Sequence, residues 1–64
     1  MNNNNISSTI SDLNNEMQFL QSRIPLENDV KIVKKMIRHK KAIFTATNML
    51  TEIKLLAVEI RQNL

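Results

Sequence analysis

Residues Arg23–Val30, RIPLENDV, form the strongest turn signal in a chain that has one proline and no glycine. A proline disfavours helical geometry at the residue before it, so Pro25 ends any helix that precedes it. Asn28 or Asp29 can cap a new helix, since either side chain accepts hydrogen bonds from the first free amides. The stretch therefore predicts a turn at residues 25–28 between two helices.

Apolar side chains recur at alternating spacings of four and three residues on both sides of this turn. On a helix, that spacing places them in one stripe, which is the seam of a coiled coil. The pattern predicts an all-α fold, an antiparallel two-helix hairpin of coiled-coil type. Helix 1 covers about residues 8–24, the longer helix 2 covers about 29–62, and the Asn-rich residues 1–7 form a disordered tail. The predicted hairpin core comprises Ile10, Leu13, Met17, Leu20, Ile24, Ile32, Met36, Ile43 and Ala46.

A second line of residues recurs every seven positions along helix 2, separated from the seam by a mostly polar row. The second line consists of Val30, Ile37, Phe44, Thr51 and Val58, and the polar row of Val33, Lys40, Thr47, Lys54 and Arg61. Helix 1 has one seam, so the other line and the C-terminal half of the main seam are expected to face water. Exposed apolar surface of this kind is typical of a protein interface, either with a different chain or with a second copy. The predicted partner-binding residues are Val30, Ile37, Phe44, Met49, Leu50, Ile53, Leu56, Val58 and Ile60.

The run KIVKKMIRHKK, residues 31–41, is the most basic part of a chain with a net charge of +3. Five of its basic residues share one helix face, and the ordinary interpretation is a solvated polar face: Lys31, Lys34, Lys35, Arg38 and Lys41. Phosphate binding needs only such a face, but only two aromatic residues, Phe19 and Phe44, are present to stack on bases. Docking on an acidic protein or on an anionic membrane are further alternatives.

Several classes of protein lack support in the composition. The chain has no cysteine and a single histidine, His39, so we expect no disulfide, no metal site and no cofactor. Its six carboxylates are scattered on polar faces, and no catalytic triad or phosphate loop is apparent, so we expect no enzyme activity. No apolar run reaches the ~20 residues that span a bilayer, and the N-terminus lacks a secretory signal pattern. We therefore expect a cytoplasmic protein.

Two segments carry a resemblance to a known family. The helix DLNNEMQFL, residues 12–20, is followed after the turn by DVKIVKKMIRHKKAIFTATNMLTEI, residues 29–53. Together they resemble the E-type co-chaperones of bacterial type III secretion needle subunits, over about Ile10 to Ile53. The most telling part is Arg38-x-x-Lys41-Ala42-Ile43-x-x-Ala46, followed by Met49, Leu50 and Ile53. The early turn at Pro25 and the stretch beyond Ile53 depart from the family pattern.

The resemblance implies a bacterial cytoplasmic hairpin that pairs with a helical-repeat, tetratricopeptide-like chaperone. Together the two would keep the aggregation-prone needle subunit monomeric and competent for export. Apart from the resemblance, the exposed apolar surface makes the isolated chain a possible homodimer. One alternative is a polymerising needle or rod-like subunit, because such subunits are also hairpins with a longer second helix. A further alternative is a small basic nucleic-acid-binding regulator that uses the face at residues 31–41.

Overall fold

The computed structural model of the protein describes residues 3–64, with side chains from Asn5 onwards. Helix α1 spans Asn3–Arg23, a short 3₁₀ helix spans Ile24–Leu26, and helix α2 spans Val30–Asn63. The two long helices pack against each other, which confirms the predicted all-α antiparallel hairpin with a longer second helix. The molecule is a rod 54 Å long and 15 Å across.

The turn is built from the residues that the sequence singled out. Pro25 lies in the first turn of the 3₁₀ helix, and the Glu27 amide donates to the Ile24 carbonyl at 3.2 Å. Of the two candidate caps, Asp29 is the one used: its carboxylate accepts a hydrogen bond from the Lys31 amide at 2.9 Å. That bond satisfies one of the amides left free at the start of α2.

The Glu27 side chain closes the turn from the other side. One carboxylate oxygen accepts hydrogen bonds from the backbone amides of Asn28 and Asp29, at 3.1 and 3.2 Å. The other lies 3.7 Å from the Arg23 guanidinium, at the last residue of α1. The turn amides are therefore partnered by a side chain from within the turn, which fixes the reversal without glycine.

Helix α1 begins earlier than the sequence pattern predicted. It starts at Asn3 rather than near residue 8, so the predicted disordered tail is wrong over residues 3–7; Met1 and Asn2 lie outside the described residues. Ile6 is only 3% exposed, and the Ser7 hydroxyl accepts a hydrogen bond from the Lys54 ammonium at 2.8 Å. Contacts with α2 therefore stabilise a segment whose asparagines are weak helix formers.

The α1 side of the core follows the predicted seam. Ile6 and Leu20 are buried, and the remaining seam positions of α1 are half-buried. Those half-buried residues are Ile10, Leu13, Met17 and Ile24. The amphipathic stripe of helix 1 is thus its contact face.

The face of α2 that packs against α1 is turned about the helix axis relative to the predicted face. Ile43 is buried, at 4% exposed, whereas Ile32 is 42% exposed and His39 is exposed. Ile32 is therefore a correction to the predicted core, while Met36, Ile43 and Ala46 do lie on or beside the contact line. The residues of α2 that are buried or half-buried along this line are Val33, Met36, Lys40, Ile43, Thr47, Leu50, Lys54 and Ala57.

The rotation brings the polar row of α2 under α1. Because α1 carries a single narrow seam, centring it on one apolar line of α2 would leave the other line wholly in water. Centred between them, it partly shields both: Ile32 on one side and Ile37 on the other are 42% and 41% exposed. Lys40 and Lys54 are half-buried on this line, as long side chains with apolar stems can be, and the Lys54 ammonium donates to the Ser7 hydroxyl.

One hydroxyl in this seam has no partner. Thr47 Oγ1 is buried and makes no hydrogen bond within the described part of the chain. By contrast, the exposed Thr45 and Thr51 hydroxyls donate to the carbonyls four residues earlier, at 3.1 and 2.9 Å. Helix α2 runs unbroken through these threonines.

Thr47→Val is expected to raise the free energy of unfolding by about 1 kcal/mol, because valine keeps the shape and removes an unsatisfied buried hydroxyl. Urea unfolding followed by circular dichroism measures the change. Thr45→Val is the matched control, since the Thr45 hydroxyl is exposed and already bonded, and we expect little change there. A lower urea midpoint for Thr47→Val than for the unmodified protein would contradict the assignment of this hydroxyl as unsatisfied.

Candidate partner-binding surfaces

Most of the exposed apolar residues of α2 lie in two surfaces on opposite sides of the contact line. We call the first the groove face, which consists of Val30, Ile37, Phe44 and Val58. We call the second the distal seam, which consists of the exposed Ala42, Met49, Ile53, Leu56 and Ile60 together with the half-buried Ala46. Leu50, predicted to bind a partner, is half-buried on the contact line and belongs to neither surface.

The groove face borders an open apolar groove of about 610 Å³ between the two helices, near the turn. Phe44 is 56% exposed, so its ring is available to a partner. The lining residues are Met17, Ile24, Ile37, Lys40, Lys41, Phe44 and Thr45. Apolar groups from both helices surround the groove and two lysines border it, an arrangement that fits an apolar side chain flanked by acidic groups.

The distal seam lies on the other side of α1, towards the C-terminal end of α2. Its six residues follow one another at spacings of four, three, four, three and four, which is the repeat of a coiled-coil seam. The four large side chains are between 48% and 59% exposed: Met49, Ile53, Leu56 and Ile60. At 1.5 Å per residue the seam is about 28 Å long, enough to pack along a second helix.

The basic face is exposed to solvent for most of its length. Lys31, Lys34, Lys35 and Arg38 are exposed, as expected for a solvated face. Lys40 departs from that pattern because it is half-buried under α1. The basic run is thus shared between solvent, the groove and the helix seam.

No family model, characterised protein or solved structure matches the chain. The resemblance to E-type co-chaperones therefore rests on the residues quoted for it. In the hairpin, those residues point in three directions: Ile43 is in the core, Lys41 borders the groove, and Ala42 and Ala46 lie in the distal seam. The motif thus combines a core position with one residue at the groove and two in the distal seam.

The described residues contain no cluster of three or more His, Cys, Asp or Glu side chains suited to a metal ion. Neither described helix is both long and apolar enough to cross a membrane.

The sequence pattern missed part of the groove. Met17 and Ile24 were assigned to the core, yet both also line the groove, and they are half-buried. Phe19, 58% exposed on α1, and Leu55, 60% exposed on α2, were assigned to no surface. A pattern read along one helix at a time has no signal for a groove that two helices form together.

Proposed function

We propose that the protein is a small cytoplasmic adaptor that binds a helical-repeat chaperone and, with it, keeps a secretion-needle subunit monomeric and ready for export. The observation that carries the proposal is the apolar groove, in which the exposed Phe44 lies beside Met17 and Ile24. A hairpin that functioned alone would be more stable if these apolar side chains were buried. Their exposure favours a protein that works in a complex.

The shape of the hairpin supports the same proposal. Stacked helical repeats form an extended concave surface, and such surfaces accept elongated helical ligands. A rod 54 Å long and 15 Å across can lie along such a surface with the groove face turned towards it. The lysines that border the groove, Lys40 and Lys41, would then meet acidic groups on the chaperone.

The proposed mechanism is physical. A needle subunit polymerises through apolar helix surface, and a complex that covers this surface removes the face through which the subunit assembles. The adaptor contributes apolar surface of its own, which the rod-shaped hairpin presents to its partners. No covalent chemistry is needed.

Co-expression tests the function. The chain is produced with a needle subunit and a helical-repeat chaperone from the same secretion system, and the products are analysed by size-exclusion chromatography with light scattering. We expect one soluble complex of all three proteins, and we expect the subunit to form filaments when the adaptor is left out. Filaments formed by this chain alone would instead indicate a polymerising subunit. Retardation of DNA that falls steeply with salt would indicate a nucleic-acid-binding protein.

A further inference from the structure

We propose that the distal seam binds a second copy of this chain, with the two α2 helices antiparallel. The seam has the four-three spacing of a coiled coil, and five of its six residues are exposed; Ala46 is half-buried. It is also separate from the groove, since none of its six residues lines that cavity. The proposal therefore goes beyond the adaptor function and does not depend on it.

The sizes of the seam residues allow two copies of the seam to fit together when the copies run in opposite directions. The N-terminal part of the seam is small, Ala42 and Ala46, and the C-terminal part is large. With the helices antiparallel, Ala42 of one copy faces Ile53 of the other, and Ala46 faces Met49, so every layer at the centre pairs a small side chain with a large one. A parallel pair would place alanine against alanine in two layers and leave them thinly packed.

The charges beside the seam favour the same orientation. The row that flanks it changes sign along the helix: Lys31 and Arg38 come first, Thr45 is neutral, and Glu52 and Glu59 follow. In an antiparallel pair, the basic end of each copy lies beside the acidic end of the other. In a parallel pair, the flanking row of each copy would lie beside Met36, Ile43, Leu50 and Ala57 of the other copy, and its charges would have no partner of opposite sign.

Packing and charge together also select the register. With Ala42 opposite Ile53, Arg38 of one copy lies beside Glu59 of the other. A shift of seven residues in one direction places Glu52 against Glu52 of the second copy. A shift in the other direction places Ala42 opposite Ala46 and moves Lys35 from opposite Ile60, at the end of the seam, to opposite Ile53. The proposed register avoids the contact between carboxylates and the contact between alanines.

The position of α1 fits this dimer. The distal seam lies about a quarter turn around α2 from the line that α1 covers. Two hairpins joined through their seams therefore bring their α1 helices to the same side, in the square arrangement of a four-helix bundle. The exposed residues of the distal seam would become the centre of that bundle.

Association of the full chain is the first test. Analytical ultracentrifugation across the micromolar range is expected to show a dimer, and Ile53→Asp is expected to weaken dimerisation at least about tenfold. The matched control is Leu55→Asp, because Leu55 is at least as exposed as Ile53, at 60% against 50%, and lies off the seam. Circular dichroism of both variants verifies that the hairpin stays helical. A monomer at every concentration, or equal weakening by the two variants, would overturn the proposal.

Orientation has its own tests. Arg38→Glu is expected to weaken the dimer, and adding Glu59→Arg is expected to restore it, since these residues meet only between copies. Because the chain has no native cysteine, a spin label at Gln62→Cys reports one distance. An antiparallel dimer predicts a label separation of about 45 Å and a parallel one about 20 Å. The short distance, or no rescue by the charge exchange, would rule out the proposed arrangement.

Discussion

Ile43→Ala is expected to lower the free energy of unfolding by about 2–5 kcal/mol, the range for truncating a buried aliphatic side chain. Ile43 is 4% exposed, and among the described residues only Ile6 and Leu20 are buried to the same degree. A domain of this size rarely has more than about 3–5 kcal/mol of stability from its core. The substitution is therefore expected to leave most of the isolated chain unfolded at room temperature.

Urea unfolding followed by far-ultraviolet circular dichroism measures this effect. Leu55→Ala is the control, because it removes a comparable side chain that is 60% exposed and belongs neither to the core nor to the two binding surfaces. We expect its midpoint to stay close to that of the unmodified protein. If Ile43→Ala and Leu55→Ala had the same midpoint, the contact line assigned to α2 would be wrong.

Phe44→Asp is expected to weaken binding to the helical-repeat chaperone by about 30-fold or more, the effect of losing an aromatic hot spot. The ring is 56% exposed and borders the groove between the helices. Aspartate would remove the apolar anchor and place a negative charge where the bordering lysines favour an acidic partner. Because the residue lies outside the core, the hairpin itself is expected to remain folded.

Isothermal titration of each variant with the chaperone measures the loss. Leu55→Asp introduces the same charge at a similarly exposed position of the same helix, and it is expected to bind as the unmodified protein does. If the Phe44→Asp variant bound the chaperone with unchanged affinity, the groove would not be part of the proposed interface. That result would leave the distal seam and the proposed dimer untouched, so the two proposals can fail separately.

The hairpin was predictable because its determinants are local. Pro25 and Asp29 specify the reversal through backbone geometry and capping, which act within a few residues. The stripe from Ile10 to Ile24 is the only apolar face on helix 1, so it had one possible role. The start of α1 was not predictable in the same way, because Ile6 and Ser7 become ordered through contacts with residues far along the chain.

The contact line on α2 shows where a pattern of hydrophobic residues is insufficient. The spacing selected Ile32 as a core position, on the assumption that the most apolar line is the buried one. In the structure, α1 lies over Lys40, Thr47 and Lys54 instead, because from there it partly shields apolar residues on both sides. How much of each apolar line α1 covers depends on the packing of the two helices, and the sequence of α2 alone does not contain that information.

This placement of α1 also determines the candidate sites. Had α1 covered either apolar line fully, only one binding surface would remain. Centred between them, it leaves the groove face on one side and the distal seam on the other. A chain of 64 residues thereby presents two separate surfaces, one for each of the interactions proposed above.

The turn at Pro25 has a consequence for how the chain reaches this structure. Each step away from the turn joins residues that are further apart in sequence, and the bond between Ser7 and Lys54 spans 47 positions. Closing a short loop costs less entropy than closing a long one. We therefore expect the helix contacts beside the turn to form first and the others to follow in order of distance from it. The contact between Ser7 and Lys54 is expected to form last. Because most contacts are local, the whole process falls in the microsecond-to-millisecond range of small helical proteins.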